Sequence, residues 1–270
     1  MQRPITGHPY LDDARGVLAF AHRGGATHPE LVGLENTMRA FRHAVALGYR
    51  YLETDVHTTS DGVLLAFHDA RLDRVAAQSG AIAEMLATDV AAVRLAGTEA
   101  IPTLAELFDA FPEARFNIDL KSAASVDALA RFLAERDAYD RVMVGSFSAA
   151  SLRRFRRLTG GRVATSAHPG EVAVWLLAPT GAIADRLTRR RVSALQIPYR
   201  QRGLTVASKW LIRKAHRAGK HVHVWTIDDP REMNALIDAG VDGLMTDRTD
   251  ILKAVLVARG LWEGRRHEGI

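Results

Sequence analysis

Apolar residues in this chain recur in short β-branched runs, separated by longer stretches in which apolar positions return every three or four residues. The short runs predict strands over 17–21, 51–55, 116–120, 142–146, 163–165, 194–197, 221–225 and 243–246. The longer stretches predict helices over 37–47, 104–111, 126–136, 149–158, 208–218, 230–239 and 250–258. Strands that alternate with helices almost from end to end build parallel sheets. Eight of them in 270 residues predict a single-domain α/β fold, a TIM (β/α)8 barrel with its core at about 17–258. The stretch 56–101 is longer than an ordinary connection. Within it, 63–67 follows an Asp61-Gly62 turn and reads as an extra strand, so a short insertion is expected after the second barrel strand.

Composition narrows the chemistry. Hydrophobic residues at 47% and charged residues at 25% are ordinary for a globular domain and exclude a disordered chain. The absence of cysteine removes disulfides, thiolate nucleophiles and cysteine metal sites, leaving oxygen and histidine as metal donors. No apolar run approaches the roughly 18 residues a membrane span requires. The start is polar and broken by Pro4, Gly7 and Pro9, unlike a signal peptide, so a cytoplasmic protein is expected. The net charge of +5 comes with arginine runs at 153, 154, 156, 157 and 189–191. These read first as solvated helix faces, with a patch for anionic lipid or nucleic acid as the alternative. No aromatic-interleaved motif accompanies them, and no nucleic-acid partner is expected.

Chemistry in a TIM barrel sits at the carboxyl ends of the strands. The first strand runs into His22-Arg23-Gly24-Gly25, where glycines let backbone approach a ligand, although an ordinary loop histidine fits as well. The second ends in Glu53-Thr54-Asp55, two carboxylates on one face. Inside a barrel such a pair repels unless a cation or donors neutralise it. The third ends in Asp119-Leu120-Lys121, adding an acid and an ammonium. Glu53, Asp55 and Asp119 with waters suit Mg2+ or Ca2+, with Mn2+ as a further option, better than zinc. A salt network with Arg23 and Lys121 is the competing account of the same acids. His68-Asp69 follows the extra strand and can fold back toward His22, and two histidines flanking a phosphodiester can accept one proton and donate another. His57 reads as a supporting or loop residue, Asn36 as a helix cap and Glu35 as a partner of a group behind the site. Trp225, ending the seventh strand, either stacks on a substrate or belongs to the core.

His22-Arg23-Gly24, Leu34-Glu35-Asn36-Thr37, Glu53-x-Asp55, His68-Asp69, Asp119-x-Lys121, Val224-Trp225-Thr226, Gly240-Val241-Asp242-Gly243 and Thr246-Asp247, in that order, resemble the glycerophosphodiester phosphodiesterase family over about residues 17–252. The resemblance implies metal-dependent hydrolysis of glycerophosphodiesters to an alcohol and glycerol 3-phosphate, with attack by a neighbouring substrate hydroxyl to give a cyclic phosphate among its implications. It implies His22 and His68 as the acid and base pair, Glu53, Asp55 and Asp119 as ligands of one divalent cation, and Arg23 and Lys121 as phosphate-holding groups. Two positions depart from the family pattern: Leu34 stands where proline is common, and Asp119 where glutamate is common. The wording is also similar to the lysophospholipase D branch, which makes lysolipids an alternative substrate and peripheral membrane contact an option. The segment 171–178, with Val172, Val174, Trp175, Leu176 and Leu177, either touches acyl chains or is a buried barrel helix. A metal-dependent sugar isomerase or aldolase shares the barrel and the acidic site, but leaves Arg23 and Lys121 without a purpose. A barrel that binds phosphodiesters without cleaving them is a third reading.

Overall fold

The computed structural model describes residues 5–13 and 16–264. Its strands are β1 (Leu18–Ala21), β2 (Tyr51–Thr58), β3 (Leu64–Ala66), β4 (Arg115–Leu120), β5 (Val142–Gly145), β6 (Ala164–Thr165), β7 (Ala194–Pro198), β8 (Arg200–Gln201), β9 (Leu204–Thr205), β10 (His221–Trp225) and β11 (Gly243–Thr246). The helices are α1 (Pro9–Asp12), α2 (Met38–Ala46), α3 (Ala87–Ala91), α4 (Leu104–Ala110), α5 (Ala124–Glu135), α6 (Ala149–Leu158), α7 (Pro169–Leu177), α8 (Gly181–Leu187), α9 (Lys209–Arg217), α10 (Pro230–Ala239) and α11 (Thr249–Ala258). Every strand expected from the sequence is present within a few residues.

Eight strands pair in parallel in the order β6-β5-β4-β2-β1-β11-β10-β7. A single parallel bridge, Ser166 to Ala194, draws the two ends of this order together and makes a nearly closed TIM barrel. Side chains alternate along each strand. Leu52, Val56, Phe116, Ile118, Val144, Leu195, Val222 and Leu244 point outward and share one apolar cluster with helix residues such as Phe41, Leu107, Leu129, Leu152, Leu211, Leu236 and Leu252. Their neighbours Phe20, Tyr51, Met143, Ala164, Ala194 and Met245 point inward and form a second cluster.

That inner cluster is completed by Tyr10 and Leu11 of α1, both wholly buried. The expected core began at residue 17, so the polar opening segment has a role its composition conceals: α1 plugs the amino-terminal end of the barrel. Tyr10 meets Tyr51 edge to face at 5.4 Å, and Arg115 donates to the carbonyls of Pro9 and Tyr10 at 2.9 Å each. At the other terminus Trp262 packs on Tyr49, again beyond the expected limit of 258.

The insertion is ordered by a hairpin and a small core of its own. Strand β2 continues to Thr58 and pairs antiparallel with β3, as the Asp61-Gly62 turn predicts. Leu65, Phe67, Leu72, Ile82, Val90, Val93, Leu95 and Ile101 pack together behind it. The stretch 171–178 is helical through Leu177, in α7, but it is not the buried helix of one expectation, since Leu176 and Leu177 are exposed. Trp175 and Glu171 face inward, while Pro169, Val172, Ala173 and Leu176, at helical spacing, face the open end of the barrel. The arginine run at 153–157 is not one solvated face. Arg156 is buried and clasps Glu171 at 2.6 and 3.1 Å, whereas Arg154 pairs with Asp127 at the surface.

No helix among the described residues is long and apolar enough to cross a membrane.

Candidate active site

Register decides which side chains meet at the carboxyl end. Asp55 lies beside Asp119 and Glu53 beside Asn117 in the β2–β4 pairing, and Ala21 beside Thr246 in the β1–β11 pairing. The next residues, His22 and Asp247, are therefore neighbours although 225 positions apart, and His22 Nδ1 lies 2.7 Å from Asp247 Oδ1. The turn after β1 is tight: Arg23, Gly24 and Gly25 all have positive φ, at 50, 84 and 100°. A β-carbon on Gly24 would stand 2.7 Å from that of Ala40, and one on Gly25 3.0 Å from Thr249. These glycines admit helix α2 and Thr249 rather than a ligand, which corrects the purpose read from the sequence.

His68 arrives from the other side. Phe67 N–H bonds Asp55 O at 3.0 Å, extending the β2–β3 pairing to the residue before His68. His57, on the inward face of β2, bonds the His68 carbonyl through Nε2 at 3.0 Å, the supporting place expected of it. His68 Nδ1 lies 2.6 Å from Asp69 Oδ1, and Asp69 is held in turn by Arg74. Both imidazoles thus have Nδ1 engaged by a carboxylate, which leaves Nε2 for other work.

Between them lie the acids. Glu53 and Asp55 are buried, and Asp119 is largely so. Arg23 Nε stands 3.1 Å from Asp55 Oδ2, and Lys121 Nζ stands 2.9 Å from Asp55 Oδ1 and 2.7 Å from Asp119 Oδ2. The Arg23 backbone N–H donates to Glu53 Oε2 at 3.1 Å, and His22 Nε2 approaches the same oxygen at 3.7 Å. The salt network anticipated as an alternative is therefore present, with Lys121 between Asp55 and Asp119. It does not balance every charge. Burial and the neighbouring Asp55 carboxylate push Glu53 above the usual carboxylate range against the pull of His22, Arg23 and Lys121. Burial acts against charge on Asp55 and Lys121 as well. Lys121 and Arg23 nonetheless hold Asp55 low, and Asp119 and Asp55 hold Lys121 high. Burial would also lower His22, but Glu53 and Asp247 outweigh it and lift the imidazole to about 9. Glu53, Asp55 and Asp119 offer hard oxygen donors of the kind Mg2+ and Ca2+ take, but the group of described residues whose ligand atoms lie within 4.8 Å of one another is His28, Glu30 and His43.

His22, Arg23, Glu53, Asp55, His68, Asp119, Lys121 and Trp225 all line one cavity of about 430 Å³ at the carboxyl ends of the strands. Trp225 is half-buried, part of the cavity wall and edge-on to Phe147 at 6.1 Å, so it touches both the inner core and the open space. Asn36 is not the cap of α2. Thr37 is, accepting from Ala40 N at 3.2 Å, while Asn36 donates to Asp55 Oδ2 at 3.1 Å and accepts from Thr54 at 2.8 Å. Glu35 bonds Arg23 at 3.2 Å and is clasped by Arg74 on its far side. Residues that the sequence did not single out are Gln196, which bonds Asn117 at 2.7 Å on the cavity floor, and Asp228, which accepts from Thr246, Asp247 N and Arg248 N to fix the turn behind His22. Asp247 was visible in the Thr246-Asp247 pair, but its contact depends on barrel closure.

Known proteins similar to this chain are phosphodiesterases. The sequence pattern of the Glycerophosphoryl diester phosphodiesterase family matches residues 22–251, and the chain belongs to that family. It is 42% identical to the probable glycerophosphodiester phosphodiesterase 2 of Mycobacterium tuberculosis, over 96% of this chain and 98% of that protein. A lysophospholipase D of Rattus norvegicus is 25% identical over 88% of this chain and 85% of its own length. Among solved structures, an Oleispira antarctica phosphodiesterase in complex with the product sn-glycerol-3-phosphate superposes with a TM-score of 0.74 at 22% identity, covering 90% of this chain and 97% of that one.

Proposed function

We propose that this enzyme hydrolyses glycerophosphodiesters to an alcohol and glycerol 3-phosphate, with His22 and His68 moving protons and Glu53, Asp55 and Asp119 holding one divalent cation. The observation that carries the reading is the pair of carboxylate-backed histidines opening on one cavity with those acids. Asp247 and Asp69 orient the rings so that one Nε2 accepts the nucleophile's proton and the other donates to the leaving oxygen. Arg23 and Lys121 supply fixed positive charge toward the phosphate, and Asn36 and Glu35 keep Asp55 and Arg23 in place. The cation, when bound, offsets phosphate charge and polarises the P–O bonds. Against a barrel that binds without cleaving, the test is turnover of glycerophosphocholine by His22→Ala and His68→Ala. Retention of wild-type turnover by both would reject the reading.

A second reading is favoured by one specific feature. Pro169, Val172, Ala173 and Leu176 of α7 make an apolar side to the cavity, opposite the charged floor, and Leu177 beyond them is 85% exposed, as are Phe147 and Leu204 in large part. Such a wall fits an acyl chain, and such a rim fits peripheral contact with a lipid surface. Assays of glycerophosphocholine beside lysophosphatidylcholine separate the two substrates, since turnover confined to the lysolipid would move the assignment to lysophospholipase D.

A further inference from the structure

A second group of potential ligands lies outside the cavity. His28 and Glu30 belong to the loop between β1 and α2, and His43 projects from α2. One ligand atom from each lies within 4.8 Å of the other two. The imidazoles face one another with centroids 4.4 Å apart, and His43 Nδ1 is 3.8 Å from Glu30 Oε2. That separation is too long for a hydrogen bond. Among the described residues His43 Nε2 has no hydrogen-bond partner either. Burial and the adjacent His28 ring keep His43 toward its neutral form, the form that ligates metals. Nearby charges act on His43 in both senses: Glu30 and Asp250, the latter paired with Arg248, favour its charged form, and Arg39 opposes it.

We propose that His28, Glu30 and His43 form a binding site for a divalent ion of the zinc class, separate from the carboxylate site in the cavity. Two imidazoles and one carboxylate, with a fourth position left to water, is a donor set such ions take and Mg2+ or Ca2+ does not seek. Ligand atoms around a tetrahedral ion with bonds of 2.0–2.1 Å stand about 3.3 Å apart, so the group has to contract modestly. The exposed Glu30 arm is free to do this. Loading costs one contact: His28 Nδ1 accepts the Glu30 N–H at 3.2 Å, and ligation through Nδ1 takes that lone pair while ligation through Nε2 moves the ring proton onto Nδ1, so the bond is given up either way. The ion would tie the 25–36 loop to α2. That loop ends in Glu35 and Asn36, which brace Arg23 and Asp55, so the site acts as a clip on the active-site scaffold rather than on the reaction itself.

The test uses the full chain stripped with chelator and kept in excess Mg2+, titrated with Co2+ while visible absorption reports imidazole ligation. One equivalent is expected in wild type and in Glu53→Gln. It should be lost in His43→Asn, whose fold is checked by circular dichroism, and weakened at least about tenfold in Glu30→Gln, a change at an exposed side chain. At one Zn2+ concentration the rise in melting temperature should be larger for wild type than for Glu30→Gln. Unchanged stoichiometry and affinity in both His43→Asn and Glu30→Gln, or uptake that disappears with Glu53→Gln, would overturn the proposal.

Discussion

Along β2, Tyr51, Glu53 and Asp55 point into the same barrel two residues apart, yet they live in opposite surroundings. Tyr51 belongs to a dry cluster with Tyr10, Phe20, Met143 and Met245, closed from below by α1. Glu53 and Asp55 sit one and two layers higher among carboxylates, guanidinium, ammonium and imidazole, where the cavity opens. The lower half follows the rule for a stable interior, with apolar surface buried and carbonyls paired to Arg115. The upper half breaks it, burying like charges side by side and leaving Glu53 pushed up by burial and Asp55. One end of the interior holds the barrel together, and the other spends part of that stability on a charged site.

The largest effect separating the two ends is expected from the cation. Chelation should reduce turnover to background, and adding back Mg2+, Ca2+ or Mn2+ should restore it, while the melting temperature changes far less than activity. Turnover that ignores chelator would mean the salt network alone suffices. Next, His22→Ala and His68→Ala should each lower kcat/KM at least about 10²-fold, or about 2.7 kcal/mol of transition-state stabilisation, with little change in unfolding. Steady-state kinetics beside thermal melts check both halves of that statement.

At the closed end the order reverses. Tyr10→Ala should destabilise by about 3–5 kcal/mol, as removal of a fully buried aromatic does, and leave kcat/KM near wild type below the melting temperature. Among the described residues Tyr10 Oη has no partner, so Tyr10→Phe should be neutral or mildly stabilising in denaturant titrations. A large activity loss in either variant would break the division of labour.

A further effect concerns acid. Burial works against a charged Asp242, but His216 at 2.8 Å, His221 and the Val222 N–H outweigh it and hold this carboxyl below its ordinary value. A depressed folded-state pKa contributes stability that is present above the unfolded value of about 3.9 and lost as pH falls through the folded one. Asp242→Asn should therefore cost about 1–3 kcal/mol at neutral pH and flatten the fall in stability below about pH 4, read from unfolding curves across pH.

Much of this was legible because parallel strands announce themselves as apolar runs, and strand ends place Glu53, Asp55, Asp119 and Lys121 by alternation alone. The contacts that depend on ring closure were not. Asp247 reaches His22 only when β11 pairs with β1. Asn36 looked like a cap because caps and carboxylate-holding amides use the same residue types, and a positive φ of 57° turned it inward while Thr37 took the cap. Arg156 read as surface because its buried partner Glu171 lies on another helix. Tyr10 was hidden in a polar, proline-containing stretch whose neighbour Tyr51 is distant in sequence.

The central claim is that Glu53, Asp55 and Asp119 share one cation. Its most direct measurement is calorimetric titration of chelator-stripped protein with Ca2+, an ion that favours the oxygen site. The account predicts one equivalent bound by wild type and by His43→Asn, and none detectable in Glu53→Gln or Asp55→Asn. Equal binding by all four proteins, or no binding by wild type, would contradict it.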